Sequence, residues 1–347
     1  MSATGKARAE LIYGHDTRRD AFAVDDVWLR DTALATSVAL VPAGALESQA
    51  DGSFAISAPS SGEFYNLCLA ERFREQPAAA VCSGVLVGES LVLTAGHCAH
   101  RLACGEQAWV FGYAITEDGR APRLFADDVY HCDRVALAAH HVDAAGRRWD
   151  YAAVQLSRPV VAPRKPLAVS RELPREGDRV NVVGYPAGVP LKVDGPAAVL
   201  SVRPDTLDYF MLNSDTYDRS SGSAVLAENG ELVGLLVRGG QDYEYREREA
   251  CWVSRRVPEA VPAEDAEHAS YAASVVGALC AQGISLGEPC EGLRARGGGC
   301  ALAMRPCDAS VAMCIFACAI AASTLRRRSR NHDERARDRT LVSRRSS

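Results

Sequence analysis

The sequence predicts an all-β protein, and three observations carry that reading. The apolar, β-branched segments are short, as in Cys82-Ser83-Gly84-Val85-Leu86-Val87, Val180-Asn181-Val182-Val183 and Leu232-Val233-Gly234-Leu235-Leu236-Val237. Turn-forming residues separate them, such as Gly88-Glu89-Ser90 after the first and Gly230 before the third. No long segment between residues 63 and 256 sustains an apolar period of 3.6, so helices do not build the core.

The chain has 347 residues, of which 48% are hydrophobic and 24% charged. That length suggests about two domains and that balance is typical of a soluble globular protein. A formal net charge of -5 gives no bulk electrostatic basis for holding nucleic acid. No Gly-rich phosphate loop of the Walker type occurs, which excludes nucleotide chemistry of that kind. The 12 cysteines divide into six between residues 63 and 256 and six beyond. Even numbers favour disulfides and an oxidising compartment. Residues 1–26 are charged throughout and lack a continuous apolar core, so no signal peptide is read there. The cysteine pattern is weighed above that reading, which leaves an extracellular, periplasmic or cell-envelope location as the expectation, by another export route or from a start not seen here.

In chain order, residues 1–62 form an N-terminal segment expected to pack partly on the domain that follows. Residues 1–30 are polar, with a turn at residues 13–19, and His15 is read as a surface residue. Residues 38–41 are a first short strand, and residues 42–62 read as a loop rich in Ala, Ser, Gly and Pro. Residues 82–87 and Leu91-Val92-Leu93 form a hairpin that delivers Thr94-Ala95-Gly96-His97-Cys98. Ala108-Trp109-Val110-Phe111, residues 128–135 and Asp150-Tyr151-Ala152-Ala153-Val154-Gln155-Leu156 are further short strands, as a barrel requires. His140 and His141 lie in an Ala-rich polar stretch read as a solvated loop. Residues 179–256 carry strands at 180–183, 197–202, 209–212 and 231–237.

Residues 257–347 change character. A Pro-, Ala- and acid-rich linker leads to four cysteines among glycines, then to 17 uncharged residues at 309–325 and Arg326-Arg327-Arg328-Ser329-Arg330. Seventeen residues is the lower limit for a membrane span, and Ala, Ser, Thr and Cys dominate here rather than Leu. The tail is therefore expected to be disordered or a small disulfide-bonded unit. Membrane contact through it is the alternative, with the arginines then on the cytoplasmic side.

The chemistry resides in His97, Asp150 and Ser221, the last within Arg219-Ser220-Ser221-Gly222-Ser223. A serine hydroxyl is a poor nucleophile at neutral pH. It needs a base in hydrogen-bond reach and a third group that fixes the base's tautomer. His, then Asp, then Ser, each in a strand-flanked context, supplies those parts in order. Ser-Ser-Gly-Ser or a lone Asp before a strand is weak by itself; Thr-Ala-Gly-His-Cys is specific. A metal site on Cys98, His100 and Cys104, or on the tail cysteines, is disfavoured because no Cys-x-x-Cys pair is present there. No metal or other cofactor is expected.

On these motifs, residues from about 63 to 255 resemble a trypsin-like serine protease of the chymotrypsin clan. Asp215-Thr216-Tyr217, Gly184-Tyr185-Pro186 and Leu236-Val237-Arg238-Gly239-Gly240 resemble the bacterial glutamyl-endopeptidase-like branch more than animal trypsins. The resemblance implies two six-stranded antiparallel β-barrels, the first to about residue 160 and the second over about 161–256, with the active site in the cleft between them. It implies a serine endopeptidase acting on protein or peptide through an acyl-enzyme, with His97 as base, Asp150 as its partner and Ser221 as nucleophile. The backbone N–H groups of Arg219 and Ser221 would form the oxyanion hole. A Cys82–Cys98 disulfide would tie the histidine loop to the preceding strand. Cys68, Cys104, Cys132 and Cys251 then allow three pairings, between which the sequence does not choose. Asp215 would lie at the base of the substrate pocket and favour Lys or Arg, with Arg238 and Gly239 on its wall and Arg238 opposing that charge. Oligomeric state is not legible.

Two departures bear on this reading. The branch carries glycine where Arg219 stands, and a Cβ disfavours the backbone conformation that aims this N–H. An inactive protease homologue acting as a binding module is therefore the alternative. Ser220 replaces the aspartate of animal enzymes, so trypsin-style activation by insertion of a new N-terminus is not expected.

Overall fold

The computed structural model describes residues 12–120, 123–257 and 266–286. Twelve strands build two closed antiparallel barrels. The first consists of β1 (Ser37–Pro42), β2 (Cys82–Gly88), β3 (Leu91–Thr94), β4 (Gln107–Val110), β5 (Val129–Val142) and β6 (Arg148–Leu156). They run β6-β3-β2-β1-β4-β5, and β5 closes on β6. The second consists of β7 (Arg179–Gly184), β8 (Lys192–Ser201), β9 (Phe210–Leu212), β10 (Ala224–Ala227), β11 (Leu232–Arg238) and β12 (Glu267–Tyr271). Their order is β7-β10-β11-β12-β9-β8, closed by the β7–β8 pairing. Closure removes the sheet edges that short strands would otherwise expose.

Both rings are filled as the alternation demands. Val38, Leu40, Leu86, Val92, Trp109 and Val154 are buried together in the first. Val180, Val182, Val199, Phe210, Leu236 and Tyr271 are buried together in the second. Trp109, fully buried, donates its indole N–H to Gln107 Oε1 at 3.2 Å, which satisfies the one polar atom it brings inside.

The rings draw on strands outside the expected limits of 63–256. β1 lies before residue 63, and β12 lies beyond residue 256 in the stretch expected to be irregular. β12 runs into a helix, Ala272–Ala281, which buries Ala272, Val275 and Leu279. A helix over Val27–Thr36, with Asp26 accepting from the Leu29 N–H at 3.0 Å, occupies part of the N-terminal segment. Before it, Arg19–Asp20 adds antiparallel to β8, and Ile12–Tyr13 pairs parallel with Arg256–Val257. Residues 12–20 thus form a strap along the second barrel.

Disulfides join Cys82 to Cys98, Cys68 to Cys251 and Cys104 to Cys132. Among the described residues no helix is long and apolar enough to cross a membrane. Residues 309–325, on which the alternative of membrane contact rests, and the tail cysteines beyond Cys280 lie outside the described residues.

Candidate active site

The histidine is placed by a short local sequence. β3 ends at Thr94, whose hydroxyl donates to Ser83 O at 2.7 Å. Ala95 is extended, and Gly96–Ala99 makes one helical turn. Gly96 permits it: a Cβ there would sit 2.0 Å from Ala139 O on β5. The disulfide from Cys98 to Cys82 on β2, both fully buried, pins the turn to the barrel.

Asp150, on β6, spends both carboxylate oxygens on His97. Oδ1 accepts the backbone N–H at 3.0 Å, and Oδ2 lies 2.9 Å from Nδ1. A carboxylate only accepts, so Nδ1 carries the proton and Nε2 keeps a lone pair toward the cleft. Ser270 on β12 donates its hydroxyl to Asp150 O at 2.8 Å, tying the second barrel to the aspartate's backbone.

Ser221 comes from the loop between β9 and β10. Its carbonyl accepts the Ser83 N–H at 2.8 Å, and the next N–H, of Gly222, donates to Leu236 O at 2.7 Å. Gly222 has φ +90, and a Cβ there would meet Ser83 O at 2.0 Å, so only glycine lets the loop approach β2 this closely. Ser223 closes the turn by donating its hydroxyl to Ser220 O at 2.6 Å. His97, Asp150 and Ser221 then line one open cleft of about 330 Å³. Among the described residues no hydrogen bond joins the Ser221 hydroxyl to His97.

Arg219 adopts φ +73, the left-handed region that costs a residue with a Cβ ~1–2 kcal/mol. Its side chain holds it there. The guanidinium donates to Ala78 O at 3.0 Å and Ala80 O at 3.3 Å, and lies 4.1 Å from the centre of the Phe64 ring. Among the described residues the N–H groups of Arg219 and Ser221 donate to no protein acceptor. The side chain thus compensates for the conformation that the missing glycine would have allowed.

Asp215 is not at the base of this cleft. Its carboxylate is buried against the N-terminal strap, accepting from the Tyr13 N–H and the Thr17 N–H, each at 2.7 Å. Beside it Asp194 accepts from the Asp215 N–H at 2.7 Å and the Ser214 hydroxyl at 2.6 Å. The Thr17 hydroxyl lies 2.5 Å from Asp194 and 3.0 Å from Asp215. Burial, then repulsion from Asp215, pushes Asp194 up to about 7, and burial pushes Asp215 up as well. The arginine side of the expected pocket is present: Arg238, at the end of β11, lines the cleft with Arg101 and Arg148. Its guanidinium bonds His268 Nδ1 on β12, and His268 stacks on Tyr209 at 4.5 Å. Gly239 follows β11 and is half-buried.

His140 and His141 are exposed, as expected, but they line the cleft from a strand rather than a loop, because β5 runs on through residue 142. Ala138, Ala139, His140 and His141 near the end of β5 are small or polar on both faces, so no alternation marks it as a strand. Ser270 and Asp194 carry no motif at all.

Two closed six-stranded barrels with a histidine–carboxylate pair facing a serine across their cleft define a chymotrypsin-like class. Residues 82–235 match the family model of the trypsin-like peptidase domain. No curated protein matches the chain. Among solved structures, it is similar to a Glu endopeptidase at 17% identity over 76% of this chain and 96% of that one, with a TM-score of 0.43. It is similar to an inactivated protease paralogue of the scabies mite at 16% identity, over 72% and 94% of the two chains, with a TM-score of 0.44. An inactive mutant of the Mycobacterium tuberculosis H37Rv protein Rv3671c matches at 15% identity, over 75% and 92%, with a TM-score of 0.40.

Proposed function

We propose that the chain is a serine endopeptidase. The observation that carries this is the convergence of His97, Asp150 and Ser221 on one cleft, with Asp150 fixing the His97 tautomer through its 2.9 Å contact to Nδ1. Ser221 Oγ attacks the scissile carbonyl carbon as His97 Nε2 takes the hydroxyl proton. Asp150 steadies the resulting imidazolium. The Arg219 and Ser221 N–H groups hold the oxyanion, a contribution of ~10²–10³-fold per donor in enzymes of this kind. The tetrahedral intermediate expels the amine, which takes the proton from His97. Water, activated by the same histidine, then releases the acyl group.

Protein or peptide is the substrate, and the cleft's charge favours acidic side chains. Arg101, Arg148 and Arg238 line it against Asp150 and Asp218, and Asp215 is spent on the strap. Profiling with a peptide library checks this; cleavage confined to sites after Lys or Arg would reverse it. Three disulfides support an extracellular or envelope setting.

The test is labelling of the oxidised protein with a fluorophosphonate probe. An adduct on Ser221 that is lost in His97→Ala is the expected result. A folded wild-type protein that never labels would turn the reading to a binding module on the same fold. The left-handed conformation held at Arg219 weighs against that second reading, since it supplies what the glycine would have.

A further inference from the structure

We propose that His97, His140 and Asp150 form a binding site for a divalent transition metal of the zinc class, which switches the proposed protease off. The inhibitory consequence rests on the serine-protease reading; the binding itself does not.

The three side chains come from adjacent rigid positions. Asp150 on β6 and His140 on β5 are direct cross-strand partners, so both project from the same face of the pair. His97 reaches over them from its disulfide-pinned turn, and the two imidazole rings lie 5.7 Å apart. One ligand atom from each residue falls within 4.8 Å of the other two. Tetrahedral zinc with nitrogen and oxygen ligands at ~2.0–2.2 Å needs ligand atoms ~3.3 Å apart. The set therefore has to close by roughly 1.5 Å, a distance that side-chain rotation of the exposed His140 covers. Solvent reaches the site, with side-chain exposures of 27% for His97 and 18% for Asp150.

The donor set selects the kind of ion. Calcium and magnesium need six or more oxygen ligands, and one carboxylate is present here among three cleft arginines. Two imidazoles and a carboxylate with an open fourth position suit zinc, copper or nickel instead. The two other His, Cys and acidic clusters among the described residues both depend on cysteines locked in disulfides, Cys82 with Cys98 and Cys68 with Cys251. They offer no thiolate.

Binding disables the base whichever ring nitrogen it uses. At Nε2 the metal occupies the lone pair that accepts the Ser221 proton. At Nδ1 it displaces the proton that Asp150 holds. His140 would thus act as a metal ligand that the hydrolytic reaction does not itself require.

Calorimetric titration of the full oxidised chain with zinc chloride, after removal of metal by chelation, tests the site. One zinc per chain is expected, with affinity lowered about 10-fold or more in His140→Ala and in His140→Asn, and unchanged in His131→Ala. Calcium and magnesium chlorides should give no saturable heat. Cobalt(II) bound in place of zinc should show visible bands that His140→Asn removes. In parallel, zinc should slow fluorophosphonate labelling of Ser221, and EDTA should restore it. Absence of zinc binding, or binding of equal affinity in both His140 variants, overturns the proposal. If the protein never labels, the protease reading fails while the calorimetry still decides the metal site.

Discussion

The two halves of the cleft are fastened by different means. On the first-barrel side, His97 sits on a turn closed by a buried disulfide and capped by both oxygens of Asp150, all within strands that pair locally. On the second-barrel side, the loop that carries Ser221 is held from below by a segment about 200 residues away in sequence. Tyr13 and Thr17 bond Asp215, and Arg18, only 4% exposed, lies 4.0 Å from the centre of the Tyr217 ring. The first fastening is covalent and local in sequence. The second is noncovalent, long-range and built on two neighbouring buried carboxylates. The serine side should therefore be the half that loosens first, and the following experiments press on that difference.

The largest effects test whether the halves meet at all. His97→Ala and Ser221→Ala should each lower peptide hydrolysis by ~10⁴–10⁶-fold while leaving thermal unfolding nearly unchanged. Next comes the covalent fastening. Cys82→Ser with Cys98→Ser opens a loop of 16 residues and should cost about 3 kcal/mol of unfolding free energy, read by denaturant titration. An equal loss in Thr17→Ala would erase the contrast between the halves.

Thr17→Ala should instead cost about 1 kcal/mol, because it removes one hydroxyl wedged between two buried carboxylates. Its mark is kinetic as well: labelling of Ser221 should slow, with His97 unaffected by chemical modification. The strap should also respond to pH. Asp194 is raised in the folded protein to about 7 from an ordinary value near 3.8. Between those values the unfolded chain gives up the proton and the folded chain keeps it, so this group's contribution to stability falls as pH rises from about 4 to 7 and then levels off. Amide-exchange protection factors at Tyr13 and Thr17, corrected for the intrinsic rate at each pH, should fall over that interval, and Asp194→Asn should flatten the dependence. Protection factors that do not change with pH in the wild-type protein would rule the titrating pair out.

The same contrast explains what was legible in the sequence. The histidine half was readable because its determinants are contiguous: hairpin, Thr-Ala-Gly-His-Cys and a partner cysteine 16 residues upstream. Asp150 and Ser221 were readable through short strand-flanked motifs. The strap was not, because polar residues 12–20 look like surface until their partners, Asp194 and Asp215, are known to be buried beneath them. Counting back from Ser221 put Asp215 in the substrate pocket, where the fold gives it to Tyr13 and Thr17. β12 was missed because Glu-His-Ala-Ser-Tyr, after an acidic linker, has too few β-branched residues to announce a central strand. His140 looked like loop because the end of β5 projects past the barrel, where no buried face imposes alternation.

Arg219 is the smallest effect and the sharpest probe of the serine half. Arg219→Gly relieves the left-handed backbone cost of ~1–2 kcal/mol. It also deletes two hydrogen bonds to Ala78 O and Ala80 O and the contact with Phe64, together worth a similar amount. The two should nearly cancel, leaving unfolding free energy within about 1 kcal/mol of wild type and the rate of Ser221 labelling within roughly threefold. In the proposed oxyanion hole position 219 already adopts the left-handed backbone that glycine would favour, so glycine has little to add. A gain of about 10-fold or more in labelling would mean that the arginine side chain, not the strap, limits the oxyanion hole. A loss of that size would make Arg219 the clamp that joins the serine loop to residues 78–80 of the first barrel's approach.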